Sequence, residues 1–255
     1  MELNKTVERI VPKNFETREE YLLYLRHLFA YEEVIKFLDN DFRVLEIGFG
    51  EGYGTNFLSD HLNRITGLDV NKKAVSYANQ IYGDDNCKFE YYDGNKLPYA
   101  DEHFDAVISF QVIEHIEDDH RFIKEIHRVL KNEGKSVLTT PNRKTRLAPG
   151  QDPWNEFHIR EYSASQLDEM LSGYFSEVRV WGVRGDSGVE TIEKNRVKRN
   201  LSFYKLLPGF LKRLVTEDYI NEYDTDSFYL EKNQVDKSMD LFAIVKKQSS
   251  FSKDL

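Results

Sequence analysis

The chain has 255 residues, 40% of them hydrophobic, enough to bury one sizeable α/β core. Lysine and arginine total 35 against 44 aspartate and glutamate, a formal charge of -9, so a nucleic-acid partner is not expected. Cys87 is the single cysteine, which excludes an internal disulfide, and the first twenty residues are polar where a secretory signal needs an apolar run. No run approaches the roughly 18 apolar residues of a membrane span, so a soluble, cytoplasmic protein is expected.

From Tyr21 to Leu38 apolar residues recur at a helical period, which predicts one or two amphipathic helices. RVLEIG from Arg43 reads as a strand, GYGTNFLSDHLN as a helix, RITGLDV as a strand and NKKAVSYANQIYG as a helix stopped by Gly83. CKFEYYD and FDAVISF read as further strands, DDHRFIKEIHRVLKNEG as a helix closed by Gly134, and KSVLTTPN as a strand. Strands separated by helices need crossover connections, and these produce a mostly parallel sheet with helices on both faces. A polar loop, a helix at SASQLDEMLSGY and a strand at EVRVWGV follow; MDLFAIVKK is a last strand, expected antiparallel because it follows an insertion. The organisation predicted is a helical lid over 1–40, a core over 41–183, an insertion or cap over 184–237, a final core strand over 238–247 and a tail over 248–255.

Three features point to a ligand. LEIGFGEGYG carries Gly48, Gly50 and Gly52 between a strand and a helix, where a missing Cβ allows a tight turn and close backbone approach. The spacing is G-x-G-x-G with Glu46 ahead of it, which differs from the G-x-G-x-x-G of dinucleotide-binding dehydrogenases. Asp69 ends the second strand, where a carboxylate can accept from both ribose hydroxyls, and Asp93-Gly94 ends the third, where it can meet an adenine amino group.

In order and spacing, VLEIGFGEGYG, ITGLDVNKKAV, YYDGNKLPYADEHFDAVISFQVIEHIED and EIHRVLKNEGKSVLTTPN resemble the motifs of class I S-adenosylmethionine-dependent methyltransferases. The resemblance implies a Rossmann-like, doubly wound sheet of seven strands with an antiparallel last strand, and S-adenosyl-L-methionine as cofactor. It implies that Gly48, Gly50 and Gly52 approach the methionine portion and that Glu46 meets its ammonium. Asp69, with Val70 beside it, would take the ribose, Asp93 and Gly94 the adenine, and Gln111 the methyl-bearing end. Flanking segments RHLFAYEEVIKFL, NEFHIREYSASQL and VDKSMDLFAIVKK are similar to bacterial methyltransferases of polysaccharide assembly. That likeness implies a saccharide hydroxyl acceptor and a first helix that acts as a lid, with Tyr24, Arg26 and His27 near the cofactor; packing of Leu22, Leu25 and Leu28 on the sheet is the alternative.

Glu114 and His115 follow the fourth strand, and His115 can deprotonate an acceptor at neutral pH. Equally, the pair can serve to fix the turn. The pair is also similar to E-x-x-E-H in methyltransferases of small-RNA 3′ ends and of quinone-ring hydroxyls, which hold a divalent metal. Gln111 replaces the first acid here, so no metal is expected, and Glu114, His115 and His158 are what would remain of a ligand set. A non-catalytic cofactor-binding module is the remaining alternative. Between Lys194 and Arg213 the chain is basic, with Lys198, Arg199, Lys212 and Arg213 among large apolar residues, which suggests a lid over an anionic acceptor, with transient membrane contact as the lesser reading; equally, the segment can be a helical cap that packs its apolar side on the sheet and leaves its charges solvated.

Overall fold

The computed structural model describes residues 15, 17–198 and 222–248. The basic segment from Arg199 to Arg213 lies outside the described residues. Among those described, no helix is long and apolar enough to cross a membrane.

The first helix, α1 (Arg18–Ile35), is continuous. It starts at Thr17, whose side chain accepts from the Glu20 amide, and buries Leu22, Leu25, Phe29 and Val34 at helical spacing. There follow β1 (Arg43–Ile47), α2 (Tyr53–Ser59), β2 (Arg64–Asp69), α3 (Lys72–Tyr82), β3 (Cys87–Tyr91) and β4 (Phe104–Phe110). The second half contains α4 (Asp119–Val129), β5 (Leu130–Pro141), α5 (Arg143–Arg146), α6 (Ala164–Ser172), β6 (Glu177–Gly185), α7 (Ser187–Lys198), β7 (Phe228–Glu231) and β8 (Asp240–Lys246).

The strands form one sheet in the order β3-β2-β1-β4-β5-β8-β6-β7. β1 to β5 are mutually parallel, and β8 runs antiparallel to both β5 and β6, as expected of the last strand. The sheet has eight strands rather than the expected seven. The additional one is Phe228–Glu231, in the stretch read as a helical cap, and it pairs antiparallel with β6. Phe228 is buried and meets Phe29 of α1 at a ring separation of 6.0 Å, so this edge strand helps to hold the first helix.

Both faces of the sheet are covered, and alternate residues feed two cores. Val44, Ile65, Phe242 and Ile244 join α1 and α3 on one side; Leu45, Leu68, Leu241 and Val245 join α4 and α6 on the other. Helix α4 buries Phe122, Ile123, Ile126 and Val129. It ends at Val129, five residues before the predicted stop at Gly134. Leu130 is fully buried and already paired with Phe104, and the chain then turns through Glu133 at φ 62 before Lys135 rejoins the ladder opposite Ala106.

Register aligns the strand ends. Leu68 pairs with Ile47, Asp69 with Tyr91, Phe110 with Thr139 and Pro141 with Asp240. The residues that follow, from Gly48 to Asp240, therefore share one edge, and the strand order reverses between β1 and β4, where open α/β sheets bind ligands.

Candidate functional site

The turn from β1 to α2 is built on left-handed backbone, with Gly48, Gly50 and Gly52 at φ 80, 62 and 87. A Cβ at Gly48 would lie 2.4 Å from Val112, whereas one at Gly50 would meet nothing within 4 Å. Gly48 is thus needed for packing, and Gly50 leaves an open backbone face that a ligand can approach. Gly54, at the end of the same glycine-rich string, makes room for a side chain instead, since a Cβ there would lie 1.9 Å from the Tyr31 ring.

Tyr31 uses that space to donate a 2.5 Å hydrogen bond to Glu46, and Thr55 donates another of 2.6 Å. Burial is the main cause that pushes the Glu46 carboxyl up to about 7, against these two hydrogen bonds. Glu46 therefore ties α1 and α2 to the glycine turn, a structural role the sequence does not suggest. Tyr31 escaped sequence reasoning because a tyrosine on a helix has no signature of its partner.

Asp69 is 9% exposed at the end of β2. It accepts from the Gly50 amide at 3.2 Å and the Asn71 amide at 2.8 Å, so it also pins the open glycine. A carboxylate oxygen can accept more than one hydrogen bond, so the group suits hydroxyl donors. Val70 beside it is 56% exposed, an apolar surface at the same edge, and Gly94 faces it with 3.4 Å between a built Cβ and Val70. Asp93 is exposed and accepts from the Asn95 amide at 2.9 Å; its hydrogen bonds with Asn95 hold the carboxyl below its usual range. The carboxylate acceptors and the open glycine fit the cofactor that the resemblance implies.

Gln111, at φ 56, points its amide to Thr139 at 3.2 Å and Asp240 at 3.4 Å. Asp240 opens β8 and forms a 2.9 Å ion pair with Arg26 of α1; both are buried. Sequence reasoning missed Asp240, although an acid heading an otherwise apolar strand was a usable signal. Of the other residues on α1, Tyr24 packs on Tyr53 with ring centroids 5.5 Å apart, beside the glycine turn. Positions 24, 27 and 31 share a helix face, which puts His27 between two tyrosines that both contact Tyr53. Burial, with Arg26 adjacent, lowers the His27 imidazole to about 3, so it is neutral. Leu22 and Leu25 are buried, so this helix also packs on the core.

Glu114 and His115 lie in a single 3₁₀ turn after β4. Glu114 is fully buried and accepts from the Thr140 hydroxyl at 2.9 Å, and its carbonyl accepts from the Ile159 amide at 2.8 Å. Burial first, and Asp240 as well, push its carboxyl up to about 8. His115 donates from Nδ1 to the Phe157 carbonyl at 2.8 Å, which brings His158 alongside at a ring separation of 4.9 Å. His158 in turn hydrogen-bonds through Nδ1 to Glu161 at 2.9 Å, and Arg146 Nε donates to both oxygens of that carboxylate at 3.0 and 3.1 Å. The turn-fixing role of the Glu114-His115 pair is therefore visible, and the same contacts gather Glu114, His115 and His158 at one point. Glu161 was missed, although its spacing of three from His158 offered a hint.

Chemically, one edge combines an open glycine turn, a carboxylate set for hydroxyl donors and, past Gln111, a cluster of two imidazoles and a buried carboxyl. Residues 45–138 match the family model of the methyltransferase domain. The chain is 38% identical over 170 residues to a probable S-adenosylmethionine-dependent methyltransferase of Mycolicibacterium smegmatis, an alignment covering 65% of this chain and 62% of that protein. A probable methyltransferase of the same kind from Mycobacterium tuberculosis is 39% identical over 131 residues, covering 50% of this chain and 46% of its own. The chain thus spans less than two thirds of the length of these curated relatives. In fold it is similar to a methyltransferase structure from Thermotoga maritima, with a TM-score of 0.60 at 19% identity over 90% of this chain and 95% of the other. The methyltransferase match and the Rossmann-like fold imply S-adenosylmethionine as the cofactor. The matched region stops at residue 138, before His158, Glu161 and Asp240.

Proposed function

We propose that this chain is an S-adenosylmethionine-dependent methyltransferase whose acceptor is a hydroxyl of a small polar molecule, a saccharide foremost. The observation that carries the reading is a single sheet edge on which Gly50, Asp69 and Val70 lie on one side of Gln111, and Glu114, His115 and His158 on the other.

The cofactor supplies a methyl group on a sulfonium, and its transfer is an in-line displacement that needs alignment above all. In this reading Gly50 lets the backbone come close, the Asp69 carboxylate accepts from the ribose hydroxyls, and Val70 offers an apolar face to the adenine. Glu46, already bonded to Tyr31 and Thr55, lies just before the turn and in this reading meets the ammonium. A hydroxyl nucleophile must lose a proton, and the imidazoles of His115 and His158 are the groups gathered to accept it. The polar lining of this half supports a polar acceptor. The formal charge of -9 argues against a nucleic acid.

Calorimetry with S-adenosylmethionine is the first test. Asp69→Ala is expected to weaken binding at least about tenfold, since each charge-assisted hydrogen bond contributes about 1.5–3 kcal/mol. Unchanged affinity would remove Asp69 from the cofactor site. Turnover with free and nucleotide-linked sugars then tests the acceptor, and with any sugar that reacts, His115→Ala should lower kcat about a hundredfold or more while leaving cofactor affinity unchanged. Cofactor binding without turnover on any hydroxyl acceptor would favour the non-catalytic module.

A further inference from the structure

We propose that Glu114, His115 and His158 form a binding site for a first-row divalent cation of the zinc or cobalt class. One carboxylate oxygen and one nitrogen from each ring all lie within 4.8 Å of one another. Ligand atoms around a cation held at about 2.0–2.2 Å lie about 3–4 Å apart, so side-chain adjustment alone closes the set. Two imidazoles and one carboxylate suit borderline cations and leave coordination positions open.

Three further observations separate this cluster from a chance gathering of side chains. First, Oε2 of Glu114 accepts from Thr140, but Oε1 is buried and has no hydrogen-bond partner among the described residues. Fixing the turn accounts for Oε2 and leaves Oε1 unexplained, and a buried polar atom without a partner is costly. Second, both rings are oriented from behind through Nδ1: His115 by the Phe157 carbonyl and His158 by Glu161, itself held by Arg146. Coordination then falls to Nε2, and a carboxylate behind a histidine is the usual support of a metal ligand. Third, the rings stand at 82° to each other, so they are not stacked and can offer separate positions.

The glutamine at 111, which led the sequence to predict no metal, is not a missing ligand. Its amide is turned to Thr139 and Asp240. A cation here would supply Lewis acidity to a hydroxyl, with both histidines as ligands rather than free bases. That use rests on the methyl-transfer reading; the binding does not.

The test uses the tag-free full chain after chelator treatment, titrated with Zn²⁺ by calorimetry and with Co²⁺ by visible absorption. One Zn²⁺ per chain is expected, together with Co²⁺ bands that Zn²⁺ abolishes. His158→Ala and Glu114→Gln should each reduce binding to background. Glu161→Gln, which removes no ligand, should weaken it about 10–100-fold. Absence of stoichiometric binding, or binding that persists in both ligand variants, overturns the proposal. Should the ligand variants fail to fold by circular dichroism, Glu161→Gln decides alone, and unchanged affinity there also overturns it. S-adenosylmethionine affinity measured in parallel keeps the two claims apart: cofactor binding without Zn²⁺ binding sinks the cation only, and the reverse sinks the methyl-transfer reading only.

Discussion

Gly54 and Gly50 belong to one glycine-rich string, yet they act in opposite ways. Gly50 keeps space open, whereas the space above Gly54 is filled by Tyr31, with 1.9 Å between a built Cβ and the ring. Gly54→Ala must therefore displace Tyr31 and break its hydrogen bond to Glu46. The expected cost of such overpacking is about 1–3 kcal/mol, read by urea denaturation. Gly50→Ala should behave differently: its Cβ meets no protein atom, although its φ of 62 carries some strain. If Gly54→Ala proves as stable as the wild type, the contact with Tyr31 is not what that glycine provides.

Helix α1 reads from sequence as a lid or as a packing helix, and its packing role is visible. Its apolar stripe packs on the core, while Tyr31 reaches Glu46 and Arg26 reaches Asp240. The Glu46 contact has a pH consequence. Its carboxyl stands at about 7 in the fold against an ordinary 4.5, so the folded state holds the proton more tightly than the unfolded chain. The stability this contributes is complete below about 4.5 and is lost as pH rises to about 7, a change of about 3 kcal/mol. Glu114 shifts in the same direction, so the informative quantity is the difference between wild type and Glu46→Gln. The wild type should lose more stability than the variant between pH 5 and pH 8 in denaturant titrations. Equal losses would show that Glu46 is not held neutral.

At the scale of the molecule, the first helix and the last strand are joined by the Arg26–Asp240 pair, 2.9 Å apart and 5% and 2% exposed. Glu193 of α7 adds a longer contact to Arg26 at 3.5 Å. Removing one partner of a buried pair leaves a charge without compensation. Arg26→Met should therefore cost about 3–5 kcal/mol, and the double variant Arg26→Met, Asp240→Leu should recover much of it. Urea denaturation of both checks this, and equal stability of Arg26→Met and wild type would show that the pair carries no weight. The same pair brings the middle of α1 to the acid that Gln111 contacts, so α1 is anchored beside Gln111.

Local pattern sufficed for the alternating strands and helices, for the antiparallel last strand, and for placing Gly50, Asp69 and Asp93 at strand ends, because periodicity and turn chemistry act over a few residues. It also placed Glu114 and His115 after β4. It could not supply the eighth strand, since Phe228–Glu231 is a short segment whose strand character comes from pairing with β6. Nor could it supply partners distant along the chain, such as Tyr31 for Glu46, Asp240 for Arg26 or Glu161 for His158 at the same point as Glu114. Those meetings depend on how crossovers stack the helices and on register at the strand ends. Tertiary structure alone decided which carboxyls are buried, which of those meet a cation, and which have an oxygen left to bind something else.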